Sequence, residues 1–256
     1  MSSYRIAKQS VYAFGFFALV AIVTALLIRL NGQPVKQTAS STPTPEQQFQ
    51  PATVQETAII SHGNTVDLVA YIVNPNAGAG LPELPVTFEV RSDKGEILAS
   101  KTESTYLLPG ASQYVSILDL PLPRATQVNV TLPDTQEFTV LPPRVTLPQL
   151  STFLFEPNTR NSGNRTLVEQ KGLITNNSTY DYSKVEMSVI GFDQNDTIAS
   201  VGKTFVGKLE VGEQREFTVL WQKPQADVAK TIARPSTNIF KEENVLRVMG
   251  DPSSLR

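Results

Sequence analysis

The sequence predicts an all-β chain, two tandem β-sandwich domains behind an N-terminal transmembrane helix, and three observations carry that prediction. Eighteen consecutive positions, Val11 to Ile28 (VYAFGFFALVAIVTALLI), hold no charge. Beyond Glu56 the apolar pattern has period two, in short runs punctuated by Gly, Pro and Asn. The second half of that region repeats the first at an offset of 100 to 102 residues.

The uncharged run sets the predicted location. At about 1.5 Å per residue an eighteen-residue helix spans roughly 27 Å, close to the hydrocarbon core of a bilayer. Leu30 extends it past Arg29, so the span is read as residues 11–30 behind a ten-residue cytosolic tail, 1–10. A cleaved signal peptide competes, because Arg5 and Lys8 precede the run. The run is longer than the usual apolar region of such a peptide, and LIRLNGQPV offers no small-x-small cleavage site, so an uncleaved signal-anchor is favoured. Arg5, Lys8 and the α-amino group against Arg29 and Lys36 give a slight positive-inside bias. The expectation is a single-pass cell-membrane protein with a cytoplasmic N-terminus and extracytoplasmic domains.

Composition bounds what those domains do. There are 22 basic and 24 acidic residues, a net charge of −2, so no basic field exists to collect nucleic acid by counterion release. The absence of cysteine removes disulfides, thiol nucleophiles and thiolate metal sites, leaving burial to hold the fold together. Residues 31–54, NGQPVKQTASSTPTPEQQFQPATV, are dense in Gln, Thr, Ser and Pro and show no periodic apolar pattern. They read as a linker, a stalk that at about 3.1 Å per residue reaches on the order of 70 Å. A stalk bound by a partner is the other reading.

The strands follow in order. Thr65–Val73, Val86–Arg91, Gln113–Leu118 and Gln127–Leu132 are rich in β-branched and aromatic residues. Asp93-Lys94-Gly95 marks a hairpin turn, and Pro109-Gly110 another reversal. Leu68–Asn76 (LVAYIVNPN) parallels Val168–Asn177 (VEQKGLITNN), each apolar run ending in Asn. Ser92–Ser100 parallels Asp193–Ser200, Leu108-Pro109-Gly110 parallels Glu210-Val211-Gly212, and Val115 and Ile117 fall opposite Phe217 and Val219 as inward-facing pairs. The domains are thus read as 55–142 and 143–250, joined near Leu141-Pro142-Pro143-Arg144, with a tail at 251–256. A last strand is expected at Val245–Met249, against the alternative of a short helix over Lys241–Asn244.

Within the second repeat, Gly172 to Trp221 contains Gly172-x-Ile174-x-Asn176-Asn177, the aromatic-Asp pair Phe192-Asp193 with a following turn, and Gly212-Glu213 before Phe217. In these features it resembles the FxLYD family of small extracytoplasmic β-sandwiches, similar in appearance to fibronectin type III and late-embryogenesis type 2 domains. Phe192 stands where the family has Tyr, Gly191 replaces an apolar residue, and Asp196 takes the place of the turn glycine. The first repeat matches more loosely, with Ser92-Asp93 at the aromatic-Asp pair. The resemblance implies tandem immunoglobulin/fibronectin-III-like β-sandwich domains of an envelope-associated protein, and it brings no catalytic residues with it.

The search for chemistry names few residues. His62 is the only histidine, and in its SHGN setting it reads as an exposed loop residue. Asp193, Asn195 and Asp196 place oxygens as a calcium loop would, but without an EF-hand's glycine and bidentate Glu; they read better as side chains bonding their own turn. Asp181 and Glu186 form no defensible carboxylate pair. Trp221, closing Phe217-Val219-Trp221, reads as core, with a ligand surface as the alternative. The Leu81-Pro82-Glu83-Leu84-Pro85 loop after Asn76–Gly80 is the leading candidate contact surface. Glycosylation sequons occur at Asn129, Asn164, Asn176, Asn177 and Asn195.

No catalytic, cofactor or metal residue is assigned, and no enzyme is expected. The expected function is a membrane-anchored, non-enzymatic binding or scaffolding protein of the cell envelope, with a protein partner. The alternative is a carbohydrate or cell-wall binding module using Tyr106, Tyr114, Tyr180 and Tyr182 as exposed aromatics.

Overall fold

Alternation of more and less buried side chains runs along several segments, among them 53–58, 84–91, 127–131, 150–154 and 214–222, and each of these lies in a strand. The computed structural model describes residues 49–143, 145–163, 165–222 and 227–248. The first half contains β1 (Thr53–Ser61), β2 (Val66–Val73), β3 (Ala79–Arg91), β4 (Ile97–Leu107), β5 (Ser112–Leu120), β6 (Gln127–Thr131) and β7 (Thr139–Val140). The second contains β8 (Leu150–Leu154), β9 (Asn158–Ser162), β10 (Arg165–Asn176), β11 (Tyr180–Phe192), β12 (Ile198–Leu209), β13 (Gln214–Gln222), β14 (Lys230–Ser236) and β15 (Val245–Val248). A 3-10 turn at Glu242–Asn244 precedes β15, so both expected forms of this segment occur, in succession.

The strands make four sheets, all pairs antiparallel, which stack as four layers. Layer one is β4-β3-β6 with β7 also on β3, and layer two is β1-β2-β5. Layer three is β12-β11-β14 with β15 also on β11, and layer four is β13-β10-β8 with β9 also on β10. Leu68, Ala70, Ile72 and Val115 of layer two meet Leu84, Val86, Phe88 and Val90 of layer one. Phe217, Val219 and Trp221 of layer four meet Val185, Met187 and Val189 of layer three in the same way. A third core joins the halves: Ile60, Val69 and Tyr114 from the outer face of layer two pack on Ile190, Phe192, Ile198 and Val201 of layer three. Layers two and three are therefore buried on both faces, and from Gln48 on the chain clusters as one compact unit.

The pairing scheme of the first half recurs in the second, with β3 and β11 as the equivalent central strands. Val115 and Ile117, and Phe217 and Val219, point into their respective cores. Each half is locked by one buried asparagine. Asn74 donates through Nδ2 to the carbonyls of Ala79 (2.8 Å) and Leu108 (3.0 Å) and accepts at Oδ1 from Asn76 N (3.0 Å). Asn176 donates to the carbonyls of Tyr180 (2.8 Å) and Leu209 (3.2 Å) and accepts from Ser178 N (3.0 Å). The structural match is thus Asn74 with Asn176, which moves the alignment of the apolar runs from Asn76 opposite Asn177. Gly172 has a separate cause: a Cβ there would lie 2.7 Å from the Phe217 ring and 2.5 Å from the Phe153 carbonyl oxygen.

Two boundaries read from sequence change. The linker ends earlier than Val54, because β1 begins at Thr53 and the residues before it are tied down. Ala52 is buried and exchanges hydrogen bonds with the Gln136 amide (2.8 and 3.3 Å), and the Phe49 and Phe138 rings lie 5.2 Å apart. The Leu81–Pro85 segment is not a loop but the first part of β3, with Leu81 and Leu84 in the core. Pro82 is accommodated at a bulge, where the register with β4 shifts between Leu81 and Leu84, and Pro85 follows it in the ladder opposite Ser104. The expected tail, membrane span, most of the linker, Arg144 and residues 251–256 lie outside the described residues. Among the described residues no helix is long and apolar enough to cross a membrane.

Candidate functional site: a groove where the halves part

Layers two and three are packed together over only part of their faces. Beyond Ile190, Val201 and Ile232 the outer face of layer three continues as Ser188, Glu186, Lys184, Lys203, Phe205 and Arg234, uncovered by layer two. These residues floor a groove of about 710 Å³. One wall is made by Glu103–Thr105 of β4 and Ser112–Ser116 of β5; the other includes Leu147, Leu150 and Thr152 around β8. Tyr106 spans the groove's end, its Oη 2.7 Å from Ser236 Oγ.

The wall formed by β5 is a free sheet edge. Asn74 N donates to the Ala111 carbonyl, and this fixes the phase of the ladder with β2. Gln113 and Val115 turn their backbone groups toward β2, whereas Ser112, Tyr114 and Ser116 turn theirs away, into the groove. Lys203 confirms the direction by donating from Nζ to the Ser116 carbonyl at 2.6 Å. Bonds from Phe155 N to the Lys171 carbonyl and from Asn177 N to the Gln149 carbonyl fix β8 likewise, so Leu150 and Thr152 present free backbone groups.

The groove's charges are mostly engaged. Lys184 Nζ pairs with Glu186 at 2.8 Å and sits 5.6 Å from the Phe205 ring centroid. Arg234 has no carboxylate within ion-pair distance among the described residues, while Phe205 is 64% exposed. Burial pushes the Tyr106 phenol far above its usual range, with its hydrogen bond to Ser236 acting in the opposite direction. Burial also raises Tyr114, helped by Tyr71 and Glu56 and opposed by Arg234. The arrangement offers backbone donors and acceptors, an apolar ring and a cation, which is equipment for binding.

Most residues singled out from sequence lie elsewhere. His62 is not exposed: its side chain is 2% accessible, with Nε2 2.8 Å from Asp67 Oδ2. The bond from its N to the Thr65 carbonyl closes a tight turn, folding the ring back onto β2. Asp67 Oδ1 in turn accepts from Asp119 N (2.8 Å), and Asp119 Oδ1 accepts from Gln222 Nε2 (2.9 Å), so the histidine belongs to a polar string between the halves. Among the described residues no hydrogen bond joins its ring to a hydroxyl group. Asp193 bonds its own turn, its Oδ1 accepting from Asn195 N (2.8 Å) and Thr197 N (2.9 Å), and these two backbone bonds lower its pKa. Among the described residues no group of three or more acidic or histidine side chains is placed to hold a metal. Trp221 is buried in the second core.

The four tyrosines are a correction. Tyr106, Tyr114, Tyr180 and Tyr182 are all buried, because the faces that carry them are covered by other layers or form a core. They offer no exposed aromatic surface for a sugar. Asn176 is fully buried with its amide engaged, which removes it as a glycan acceptor in the folded chain, whereas Asn129, Asn177 and Asn195 are exposed. The groove escaped the sequence reading because only the stacking of layers two and three creates it. Phe205, exposed although in phase with the buried Val201 on the same strand, is its one local signal.

No family model matches the chain, and no curated protein matches it.

Proposed function

We propose that this chain is a single-pass, membrane-anchored, non-enzymatic binding or scaffolding protein of the cell envelope. The anchor rests on the uncharged run Val11–Ile28, and the extracytoplasmic placement on the slight charge bias around it. The fold reads as tandem immunoglobulin/fibronectin-III-like sandwiches of FxLYD type. The recurrence of one strand-pairing scheme in both halves supports that reading, as does the matched pair of buried asparagines.

The observation that carries a binding role is the groove, an apolar-and-polar recess with open strand edges and an uncommitted cation. The test is crosslinking of the full-length protein in its native membrane, followed by identification of captured proteins and mapping of the crosslinked residues. Reproducible capture of one envelope assembly through residues beyond Phe49 is expected. Unchanged assembly of every envelope complex after deletion of the exported region would overturn the proposal.

A further inference from the structure

The groove occupies the place of a missing strand. Layer two ends at β5, while layer three extends beneath it with an outer face that nothing covers at Glu186, Phe205 and Arg234. A strand laid beside β5 would continue layer two over that face, at the spacing of about 4.8 Å between neighbouring strands. Its backbone would meet the free groups of Ser112 and Tyr114; Ser116 is already capped by Lys203, which sets where the added strand must stop.

We infer that the groove binds an extended polypeptide segment by addition to the β5 edge, with an acidic side chain directed at Arg234 and an apolar one at Phe205. This rests on the binding role proposed above and names the partner's chemistry. Three features favour an extended peptide. Main-chain groups on a strand edge recognise another main chain and little else. Lys184 is paired with Glu186 and Lys203 is held on the Ser116 carbonyl, and neither Lys203 nor Arg234 has a carboxylate partner among the described residues, so Arg234, free of both kinds of contact, asks for an acid. Phe205, 64% exposed on β12 and separated from Arg234 on β14 by the width of β11, supplies an apolar seat on the same face of layer three.

The experiment uses the full-length protein in detergent micelles and a phage-displayed random dodecapeptide library as the probe. Selected peptides are synthesised with a fluorescent label, and their binding is measured by anisotropy. The expected outcome is a set of alternating sequences with an acidic position. Affinity should fall at least tenfold with Arg234→Glu and at least tenfold with Ser112→Pro. The proline removes the outward N–H at the first residue of β5, a place where it leaves the ladder with β2 intact. In case Ser112→Pro fails to fold, N-methylation of alternate peptide amides tests the same hydrogen bonds without altering the protein, and it too should abolish binding. p-Benzoylphenylalanine placed at Phe205 should crosslink to the peptide.

Peptides that bind wild type and Arg234→Glu equally well, or that bind as well when N-methylated, would overturn the inference, as would an unenriched library. Self-association blocked by the same substitutions would replace the peptide with a second copy of this chain, and that too would overturn it. If the library fails while membrane crosslinking still captures an envelope assembly, the binding role stands and only the groove is wrong.

Discussion

Asn74 and Asn176 sit 102 residues apart and perform one task, whereas the hairpins that follow them solve a common problem with different chemistry. Each asparagine bonds the start of the next strand and the carbonyl at the end of β4 or β12, tying three segments to one amide. In the hairpins, Ser92 Oγ accepts from Lys94 N and Glu96 N at 3.3 Å each, and Asp193 Oδ1 accepts from Asn195 N and Thr197 N at 2.8 and 2.9 Å. The left-handed position is Gly95 (φ 78°) in one and Asp196 (φ 58°) in the other. Buried backbone groups tolerate one solution because nothing else can reach them; an exposed turn accepts any short acceptor, with water as a substitute.

The largest effect should come from the clamps. Asn74→Ala and Asn176→Ala each remove three hydrogen bonds to backbone groups, two on carbonyls and one on an amide, at about 1–3 kcal/mol per buried group left unpaired, so each should cost about 3 kcal/mol. Urea denaturation of the solubilised full-length protein reads this. Similar losses would sharpen the equivalence, and a near-neutral Asn74→Ala would break it. Next comes the join between halves. Ile190→Ala opens a cavity in the third core and should cost about 2–4 kcal/mol. Because layers two and three share that core, hydrogen exchange should accelerate in β2 as well as β11, and acceleration confined to β11 would show that the halves unfold separately.

Smaller effects belong to the hairpins. Asp196→Gly should stabilise by about 0.5–1 kcal/mol by relieving a left-handed L residue, and Gly95→Asp should destabilise by a similar amount. Thermal melts of the two exchanges test their opposite signs. The smallest is a pH effect. The Asp193 pKa lies below the ordinary aspartate range through its two backbone bonds, so its contribution is present above about pH 3.9, the unfolded value, and is lost as pH falls through the lower folded pKa. Asp193→Ser, which copies Ser92, should therefore flatten the acid limb of Tm below about pH 3.9.

Strands, turns and the internal repeat were readable because they follow from local alternation and from Gly, Asp and Asn at reversals. Asp196 in the turn-glycine position is a sequence reading the backbone bears out. At the aromatic-Asp pair, however, Arg91-Ser92 and not Ser92-Asp93 matches Phe192-Asp193, since Ser92 makes the turn bonds and Asp93 is exposed. The missed features are long-range. Tyr71 and Tyr114 alternate as outward residues should, yet they stack at 4.6 Å beneath a neighbouring layer. The run LVAYIV, apolar on both phases, was the available sign that β2 is covered twice. Pro82 and Pro85 make the start of β3 read as a loop because a bulge at Pro82, and a ladder that admits Pro85 opposite Ser104, are not displayed by composition. His62 was misplaced for the opposite reason, as a polar residue in a turn that packing nonetheless encloses.

The two halves meet through unlike faces, the β1-β2-β5 side of one on the β12-β11-β14 side of the other. Such a head-to-tail contact has no symmetry that closes it, so in principle it can be extended at either end. At the β4-β3-β6 end, the ladder position matching Ile190 holds Glu89 and that matching Phe192 holds Arg91, paired at 2.6 Å, together with a Thr87–Thr102 hydrogen bond. That face is largely polar, with Ile97, opposite Arg91, as its exposed apolar side chain. The opposite end carries exposed Phe153, Phe155 and Leu220. The two outermost faces of the stack are therefore unlike: one presents a charge pair and paired hydroxyls, and the other presents exposed rings beside the Lys171–Glu216 pair.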